Sequence, residues 1–160
     1  MNEIIILSAK YLFVVSILTL IAYGLRQPNN SKKQLALITL FAGALALALA
    51  KISGHFIYDA RPFVSSHIMP LIAHANDNGF PSDHTLLTSL IGFVVFIFSK
   101  KLGGALLTVA LIVGLARVAA GIHHPLDIAG AFIISGIAVA LTFVLQNHLS
   151  SRVTRLLRYF

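Results

Sequence analysis

The sequence has no cysteine and no tryptophan, and only five of its 160 residues are acidic. The absence of cysteine excludes disulfides, thiolate nucleophiles and cysteine-bound metals, although it does not decide the compartment. Charged residues make up 11% of the chain and hydrophobic residues 58%, and the mean hydropathy is +0.89. A soluble domain of this length cannot carry so much apolar surface. The composition therefore indicates an integral membrane protein.

Five uncharged apolar runs predict an all-α bundle of about five transmembrane helices. The runs are Tyr11–Leu25, Leu35–Ala50, Thr85–Ser99, Leu102–Ala116 and Ile128 to about Leu149. Four of them span roughly 22 to 24 Å as helices, against a hydrocarbon core of about 30 Å, so polar groups must enter the membrane edge. Residues 1–25 have an acid near the start and stay apolar for too long to be a signal peptide, so we expect this segment to be retained as a span. With no linker or low-complexity segment, residues 1–160 are predicted to form one membrane domain.

The charges are distributed unequally between the two ends of the predicted bundle. Lys and Arg in short loops stay on the cytoplasmic side, and eight of the twelve fall in two loops and the tail: Arg26, Lys32, Lys33, Lys100, Lys101, Arg152, Arg155 and Arg158. All five acids and six of the seven histidines fall at the other end. This pattern predicts an external amino terminus and an extracytoplasmic polar end. Topology and anionic lipids account for the net charge of +7, so we expect no nucleic-acid partner.

The connection between the second and third runs is the only long one. We predict a short interfacial helix at about Phe63–Ala73, followed by a turn at Asn-Asp-Asn-Gly, residues 76–79. Pro81 and Ser82 would then begin the third span, with Ser82 as its N-cap.

Three polar clusters fall at the extracytoplasmic end by this count, and together they predict an anion site with acid–base chemistry. They contain Lys51 with Arg61, then Ser82 to His84, then Arg117 with His123 and Asp127. Arginine forks and the amides of a helix start suit phosphate oxygens. His123 is a candidate nucleophile or proton donor, and Asp127, four residues later, would orient its ring in a helical turn. The expected reaction is phosphoryl transfer.

Each cluster also has a structural interpretation. Ser82 could be only a helix cap, Asp83 only a first-turn acid, and Arg61 and Arg117 only anchors at head-group level. The histidines at 55, 67, 74, 124 and 148 have no partner that spacing identifies, and we assign them structural roles. Gly130 and Gly136 allow close packing of the last span, within the chain or between chains, so oligomerisation stays open.

The motifs resemble those of the type 2 phosphatidic acid phosphatase family. Its signature is Lys, six residues, Arg-Pro; then Pro-Ser-x-His; then Ser-Arg, five residues, His, three residues, Asp. The chain has Arg61-Pro62, "PSDH" at 81–84, and Arg117, His123 and Asp127 at the family spacing. Two positions depart from it: the family lysine would stand at Gly54, with Lys51 one helical turn away, and Ala116 replaces the serine. We expect Lys51 to cover the gap, and Ala116 to weaken phosphate binding while the chemistry is preserved.

The resemblance implies a role for each matching residue. His123 would attack phosphorus and form a phosphohistidine, and Asp127 would fix its tautomer. His84 would protonate the leaving oxygen and then help water to attack. Arg61, Arg117, Ser82 and Lys51 would hold the phosphoryl oxygens.

No metal or other cofactor is expected. The site has one carboxylate at a firm position, too few oxygen ligands for magnesium. Zinc between His123 and His124 is disfavoured because adjacent residues point apart on a helix.

The position of the site at the membrane edge favours a lipid phosphate substrate. The segments "ARPF" and "FPSDHT" are most similar to bacterial undecaprenyl diphosphate phosphatases, which recycle the cell-wall carrier lipid and influence bacitracin sensitivity. This resemblance implies hydrolysis of undecaprenyl diphosphate at the bacterial inner membrane. A phosphatidylglycerophosphate or lipid A phosphatase is the alternative enzyme, and a non-catalytic phospholipid-binding or transport member is the alternative outside enzymes.

Overall fold

The computed structural model describes residues 2–66 and 68–156, with side chains as far as residue 148. The elements in this part of the chain are α1 (Asn2–Leu25), α2 (Asn29–Phe56), α3 (Pro62–Ser65), α4 (Asp83–Phe98), α5 (Lys100–Ala119) and α6 (Pro125–Leu156). Each predicted apolar run lies within one of the five longer helices, except that Ser99, the last residue of the third run, lies between α4 and α5. In the described part, α1, α2, α5 and α6 are long and apolar enough to cross a membrane, and α4 is a shorter apolar helix of 16 residues. The predicted all-α membrane bundle is confirmed.

The centre of the bundle is formed by α2, α4 and α6, and the facing surfaces of α2 and α6 are rich in alanine. Ala42 and Ala46 of α2 pack in one cluster with Val94 of α4 and with Ala131 and Ala138 of α6. Small side chains let helix backbones approach closely where lipid supplies no hydrophobic drive. A buried hydrogen bond of 2.7 Å between the hydroxyls of Ser89 and Ser135 also joins α4 to α6. Helix α1 packs outside this core, against α4 and α5.

Helices α4 and α5 form a hairpin with a single residue, Ser99, between them. The Ser99 hydroxyl accepts a hydrogen bond from the Leu102 N–H at 3.4 Å and so caps α5. Gly103 is required here, because a Cβ at this position would lie 2.3 Å from the Phe96 Cα. The Lys100 ammonium lies 4.2 Å from the centre of the Phe96 ring, a cation–π contact at the end of the hairpin.

The short helix between spans two and three is present, but it is shorter than predicted. It ends at Ser65, whereas the sequence predicted helix as far as Ala73. Pro70 explains the difference, because proline has no N–H to donate within a helix and disfavours helical geometry in the residue before it. The chain instead crosses to α5, where the Leu71 N–H donates to the Ala120 carbonyl at 3.0 Å.

The predicted helix start at Ser82 is confirmed in position, since Ser82 is the N-cap of α4. Its side chain makes no capping bond to the backbone. The hydroxyl instead accepts from the Thr85 hydroxyl at 3.1 Å. The end of α2, the starts of α4 and α6 and the end of α5 meet at one end of the bundle. There they bring the three polar clusters together, apart from Lys51.

Candidate active site

His123 and Asp127 form the buried centre of the site. The His123 Nδ1 lies 3.0 Å from Asp127 Oδ2, and the two residues are 2% and 0% exposed. The same oxygen accepts the His124 backbone N–H at 2.9 Å. Asp127 is the third residue of α6 and reaches back to the residue before the helix, as in a capping box. The helix start therefore fixes the carboxylate that orients the ring.

The partners of His123 determine its tautomer. Its Nε2 lies 3.3 Å from Arg61 Nη1, and a guanidinium can only donate hydrogen bonds. Nε2 must therefore accept, and Nδ1 must carry the proton that it donates to Asp127. A neutral ring with its Nε2 lone pair beside an arginine is the form that a nucleophilic histidine needs.

The pKa of His123 is consistent with this neutral form. Burial lowers the pKa below the usual 6.5, and the hydrogen bond to Asp127 opposes this effect without cancelling it. The nearby cations Arg117 and Arg61 act in the same direction as burial. We therefore expect His123 to be uncharged at neutral pH.

Arg61 is held by the loop that precedes α4. Its Nε donates to Asp77 Oδ1 at 2.6 Å, and its Nη1 donates to the Ile122 carbonyl at 2.8 Å. The hydrogen bond from Arg61 lowers the pKa of Asp77 below its usual value. Asn78 secures the same loop, because its side chain donates to the Gly54 and Ile57 carbonyls at 2.8 and 2.9 Å. Arg61 therefore has a fixed position beside the nucleophile.

Arg117 has fewer partners than Arg61. Its Nη1 donates to the Ala9 carbonyl of α1 at 3.1 Å, and its Nη2 lies 3.5 Å from His74 Nε2. Its Nε is buried and has no partner among the described residues. A buried guanidinium N–H without an acceptor is unfavourable, so this group is suited to an anion that supplies the missing oxygen.

His84 lies at the first turn of α4, half-buried against α1. Its ring makes an edge contact with Phe13, with 4.9 Å between centroids. Arg117, His123 and His74 all lie within electrostatic range of it. His84 therefore shares the site with His123.

The structure does not bring Lys51 to the other predicted phosphate ligands. The Lys51 side chain is exposed and forms no hydrogen bond or ion pair with any described residue. The position of the family lysine has a packing role here, since a Cβ on Gly54 would lie 3.0 Å from the Phe80 carbonyl oxygen. The role of Lys51 as a phosphate ligand stays a prediction.

Two histidines that were assigned structural roles have partners in the site. His74 contacts Arg117, and its ring centroid lies 6.3 Å from that of His123. Burial, and then Arg61, lower the pKa of His74. His124 Nδ1 lies 3.1 Å from Asp59 Oδ2. Spacing could not reveal these pairs, because their members are 43 and 65 residues apart.

His55 lies outside the site. His55 contacts its neighbour Phe56 at the end of α2. Residue 67 lies outside the described part of the chain. Asp77, Asn78 and Asp59 were also missed as site residues, and the only signal for the first two was a loop motif that we interpreted as a turn.

Comparison with known proteins decides the family. The family model described as the PAP2 superfamily matches residues 35–150, which include Lys51 and every other predicted site residue. The chain belongs to the PAP2 superfamily. It is therefore a multi-pass membrane lipid phosphatase of the PAP2 type.

Individual relatives agree with this membership. The chain is 33% identical to the bacitracin transport permease protein BcrC of Bacillus licheniformis over 144 residues, 89% of this chain and 70% of that protein. It is 28% identical to the undecaprenyl-diphosphatase BcrC of Bacillus subtilis (strain 168) over 160 residues, 100% of this chain and 82% of that protein. The crystal structure of Aquifex aeolicus LpxE has a similar fold, with a TM-score of 0.63, 23% identity, and coverage of 88% of this chain and 81% of that one.

Proposed function

We propose that this PAP2 phosphatase hydrolyses undecaprenyl diphosphate to undecaprenyl phosphate through a phosphohistidine at His123. The observation that carries the proposal is the state of His123: its Nδ1–H is held by Asp127, and its Nε2 lone pair lies 3.3 Å from Arg61 Nη1. A purely structural histidine would not need a free lone pair beside a cation that can bind a phosphoryl oxygen.

The first step transfers the terminal phosphoryl group to the enzyme. One N–H of Arg61 Nη1 donates to the Ile122 carbonyl, and the other faces His123. When the substrate arrives, this second N–H turns to a phosphoryl oxygen, and Nε2 attacks phosphorus. The N–P bond forms, the P–O bond to the lipid phosphate breaks, and protonated His84 gives its proton to the leaving oxygen. Asp127 supports the positive ring that results.

The second step returns the enzyme to its starting state. His84, now neutral, accepts a proton from a water molecule as that water attacks the phosphorus. The O–P bond forms, the N–P bond breaks, and inorganic phosphate leaves. Arg61 and Arg117 neutralise the developing charge throughout, so the mechanism requires no metal.

The phosphoryl oxygens are bound at the ends of three helices. Arg117 Nε supplies a buried donor that lacks a partner in the described chain. The Ser82 hydroxyl accepts from Thr85 and keeps its own proton to donate. The first amides of α4 add donors at the positive end of that helix. Lys51 would have to move inward to join them.

The undecaprenyl diphosphate assignment is supported by the relative from Bacillus subtilis, whose name states that activity. Phosphatidylglycerophosphate and lipid A remain the alternative substrates. The name of the Bacillus licheniformis relative describes transport. Transport needs the arginines, but it has no use for a nucleophile oriented by a carboxylate, and the site has both.

The charge distribution supports an extracytoplasmic site. Lys100 lies at the end of the bundle opposite to His84, because α4 begins at the site and α5 begins at Lys100. Basic loops stay in the cytoplasm, so the site would face outward, where an outward-facing carrier lipid is dephosphorylated.

A substrate panel tests the function. Purified protein in detergent would be given undecaprenyl diphosphate, phosphatidic acid and phosphatidylglycerophosphate, after extensive treatment with EDTA, and phosphate release would be measured. We expect the highest kcat/KM with undecaprenyl diphosphate and no loss after EDTA. The matched control is His55→Ala, which changes an exposed histidine outside the site.

Three results would change the proposal. A preference for another lipid would replace the substrate. Dependence on added magnesium would replace the metal-free mechanism. Tight lipid binding without phosphate release, in protein that is folded, would favour the transport interpretation.

A further inference from the structure

Asp59, His124 and Asp127 place three groups that can ligate metals beside the nucleophile. One ligand atom from each residue lies within 4.8 Å of the others, and the closest pair, His124 Nδ1 and Asp59 Oδ2, is 3.1 Å apart. Asp59 follows α2, whereas His124 and Asp127 lie at the start of α6. Only the fold brings them together.

Two features of Asp127 indicate that this cluster can bind a cation. Its Oδ2 accepts both N–H donors, and its Oδ1 is fully buried with no partner among the described residues. One carboxylate oxygen of Asp59 also lies within 4.8 Å of one of Asp127. Two carboxylates at this distance repel each other unless a proton or a cation lies between them.

We propose that Asp59, His124 and Asp127 form a site for one divalent transition-metal cation, for which Zn²⁺ is the probe. One imidazole and two carboxylates match the nitrogen and oxygen ligands of zinc, and three protein ligands leave a fourth position for water. Mg²⁺ fits poorly, because it requires near-octahedral oxygen ligation. The cation would satisfy Asp127 Oδ1 and separate the two carboxylates.

The cluster can adopt zinc geometry with small movements. Zinc bonds to nitrogen and oxygen are about 2.0 to 2.2 Å long, so tetrahedral ligand atoms lie roughly 3.5 Å apart. The widest separation would have to close by roughly 1 Å. Asp127 is fixed by its buried bonds, whereas the side chains of His124 and Asp59 are 35% and 22% exposed. These two side chains can rotate, and they give the ion a path from water.

A cation at this site inhibits the phosphatase rather than assisting it. It draws negative charge from the carboxylate that supports the His123 ring, at the moment when that ring becomes positive. The proposed mechanism uses no metal, so the site goes beyond the proposed function. Binding of the ion does not depend on which lipid is the substrate.

Zinc binding to two variants and a control tests the proposal. Purified protein in detergent, stripped of metal with a chelator, would be dialysed against Zn²⁺ and the bound metal counted. The variants are Asp59→Asn and His124→Ala. Both keep the backbone hydrogen bonds of these residues to Asn78, Gly79 and Asp127. The control is His55→Ala, an exposed histidine at the end of α2.

We expect one Zn²⁺ per chain in the wild type and in His55→Ala. Each of the other two variants should bind at least about tenfold more weakly, since removal of even an outer-shell partner has such an effect. Co²⁺ in place of Zn²⁺ should give the visible absorption of a four-coordinate site. Inhibition by Zn²⁺ should be reversed by chelator, with its midpoint at least about tenfold higher in both variants.

Three outcomes would overturn the site: no bound zinc in the wild type, unchanged zinc affinity in Asp59→Asn, or equal loss in His55→Ala. The first would mean that the carboxylates share only a proton. Circular dichroism and gel filtration would establish that each variant is folded. If His124→Ala does not fold, Asp59→Asn alone is sufficient to test the site. Protein that binds one zinc but releases no phosphate even after a chelator has removed the zinc would contradict the proposed function and leave the metal site intact.

Discussion

The two arginines of the site differ in how completely the protein satisfies them. Arg61 has acceptors in Asp77, Ile122 and Asn78, whereas Arg117 keeps a buried Nε without a partner in the described chain. The site can be divided into two halves, one around each arginine. We call Arg61, His123 and Asp127 the nucleophile half, and Arg117 with His84 the open half.

The difference indicates that the nucleophile half provides fixed geometry and the open half binds the ligand. Preorganised groups in the nucleophile half need no rearrangement at the moment of reaction. The open half keeps unsatisfied capacity, which a phosphoryl group can use. Substitutions in the two halves should therefore affect different measured quantities.

The largest effect is expected in the nucleophile half. His123→Ala removes the attacking nitrogen, so turnover of undecaprenyl diphosphate should fall by about 10⁶-fold or below detection, because no covalent route remains. Phosphate release measures it, with His55→Ala as the control. Substantial turnover by folded His123→Ala protein would contradict the assignment of the nucleophile.

A smaller effect is expected for the proton donor of the open half. His84→Ala should lower kcat by about 10² to 10⁴ without unfolding the protein, as removal of a general acid does. A substrate with an acidic leaving group needs no protonation, so its first step should recover, and phosphoenzyme should accumulate. Equal losses with both kinds of substrate would argue against a proton-donor role.

Lysine substitutions should separate the two arginines. Arg117→Lys removes guanidinium donors, so binding of orthovanadate should weaken by about 10- to 100-fold, since a hydrogen bond to a charged group contributes about 1.5 to 3 kcal/mol. The thermal midpoint of Arg117→Lys should fall only slightly, because the one backbone bond at stake is that to the Ala9 carbonyl. Arg61→Lys should lower the midpoint as well, because it loses the bonds to Asp77 and Ile122. The conservative control is Arg26→Lys, at the opposite end of the bundle. Identical behaviour of Arg61→Lys and Arg117→Lys would remove the distinction between the halves.

The smallest effect is expected on protein stability, from loss of the ion pair between Asp77 and Arg61. Arg61 lowers the pKa of Asp77, so the carboxylate contributes stability above the ordinary carboxyl pKa and loses it as the pH falls through the lowered, folded pKa. Asp77→Asn should therefore destabilise the protein at neutral pH by about 1 kcal/mol or less, since the Asp77 side chain is 55% exposed. Thermal unfolding at decreasing pH should show the difference disappear in acid, with Glu3→Gln as the control. A difference that persists at low pH would exclude the ion pair as its cause.

The sequence predicted the elements and residues that follow local rules. Apolar length located the spans, and a spacing of four residues correctly placed Asp127 beside His123. The charge count predicted that Arg61, Ser82, His84 and Arg117 lie at one end of the bundle, where the structure also has them. The extent of α3 was overestimated, because the backbone effect of Pro70 was not given enough weight.

The rest of the site depends on contacts that no local pattern encodes. The approach of α1 to Arg117 and His84, through Ala9 and Phe13, follows from helix packing. The Asp59–His124 pair joins residues that are far apart in sequence. Zinc was considered between His123 and His124, which are adjacent. The structure instead gives His124 the partners Asp59 and Asp127, whereas His123 faces Arg61.

The most direct test of the central claim is to trap the phosphoenzyme. His84→Ala protein would be mixed with a substrate that has an acidic leaving group and a labelled phosphoryl group, quenched at alkaline pH, digested and sequenced by mass spectrometry. Phosphohistidine is stable in alkali and labile in acid, so we expect an acid-labile phosphate on His123 that is absent when His123→Ala is added to the same background. Label on a different residue, or rapid phosphate release with no covalent label at any time, would contradict the account.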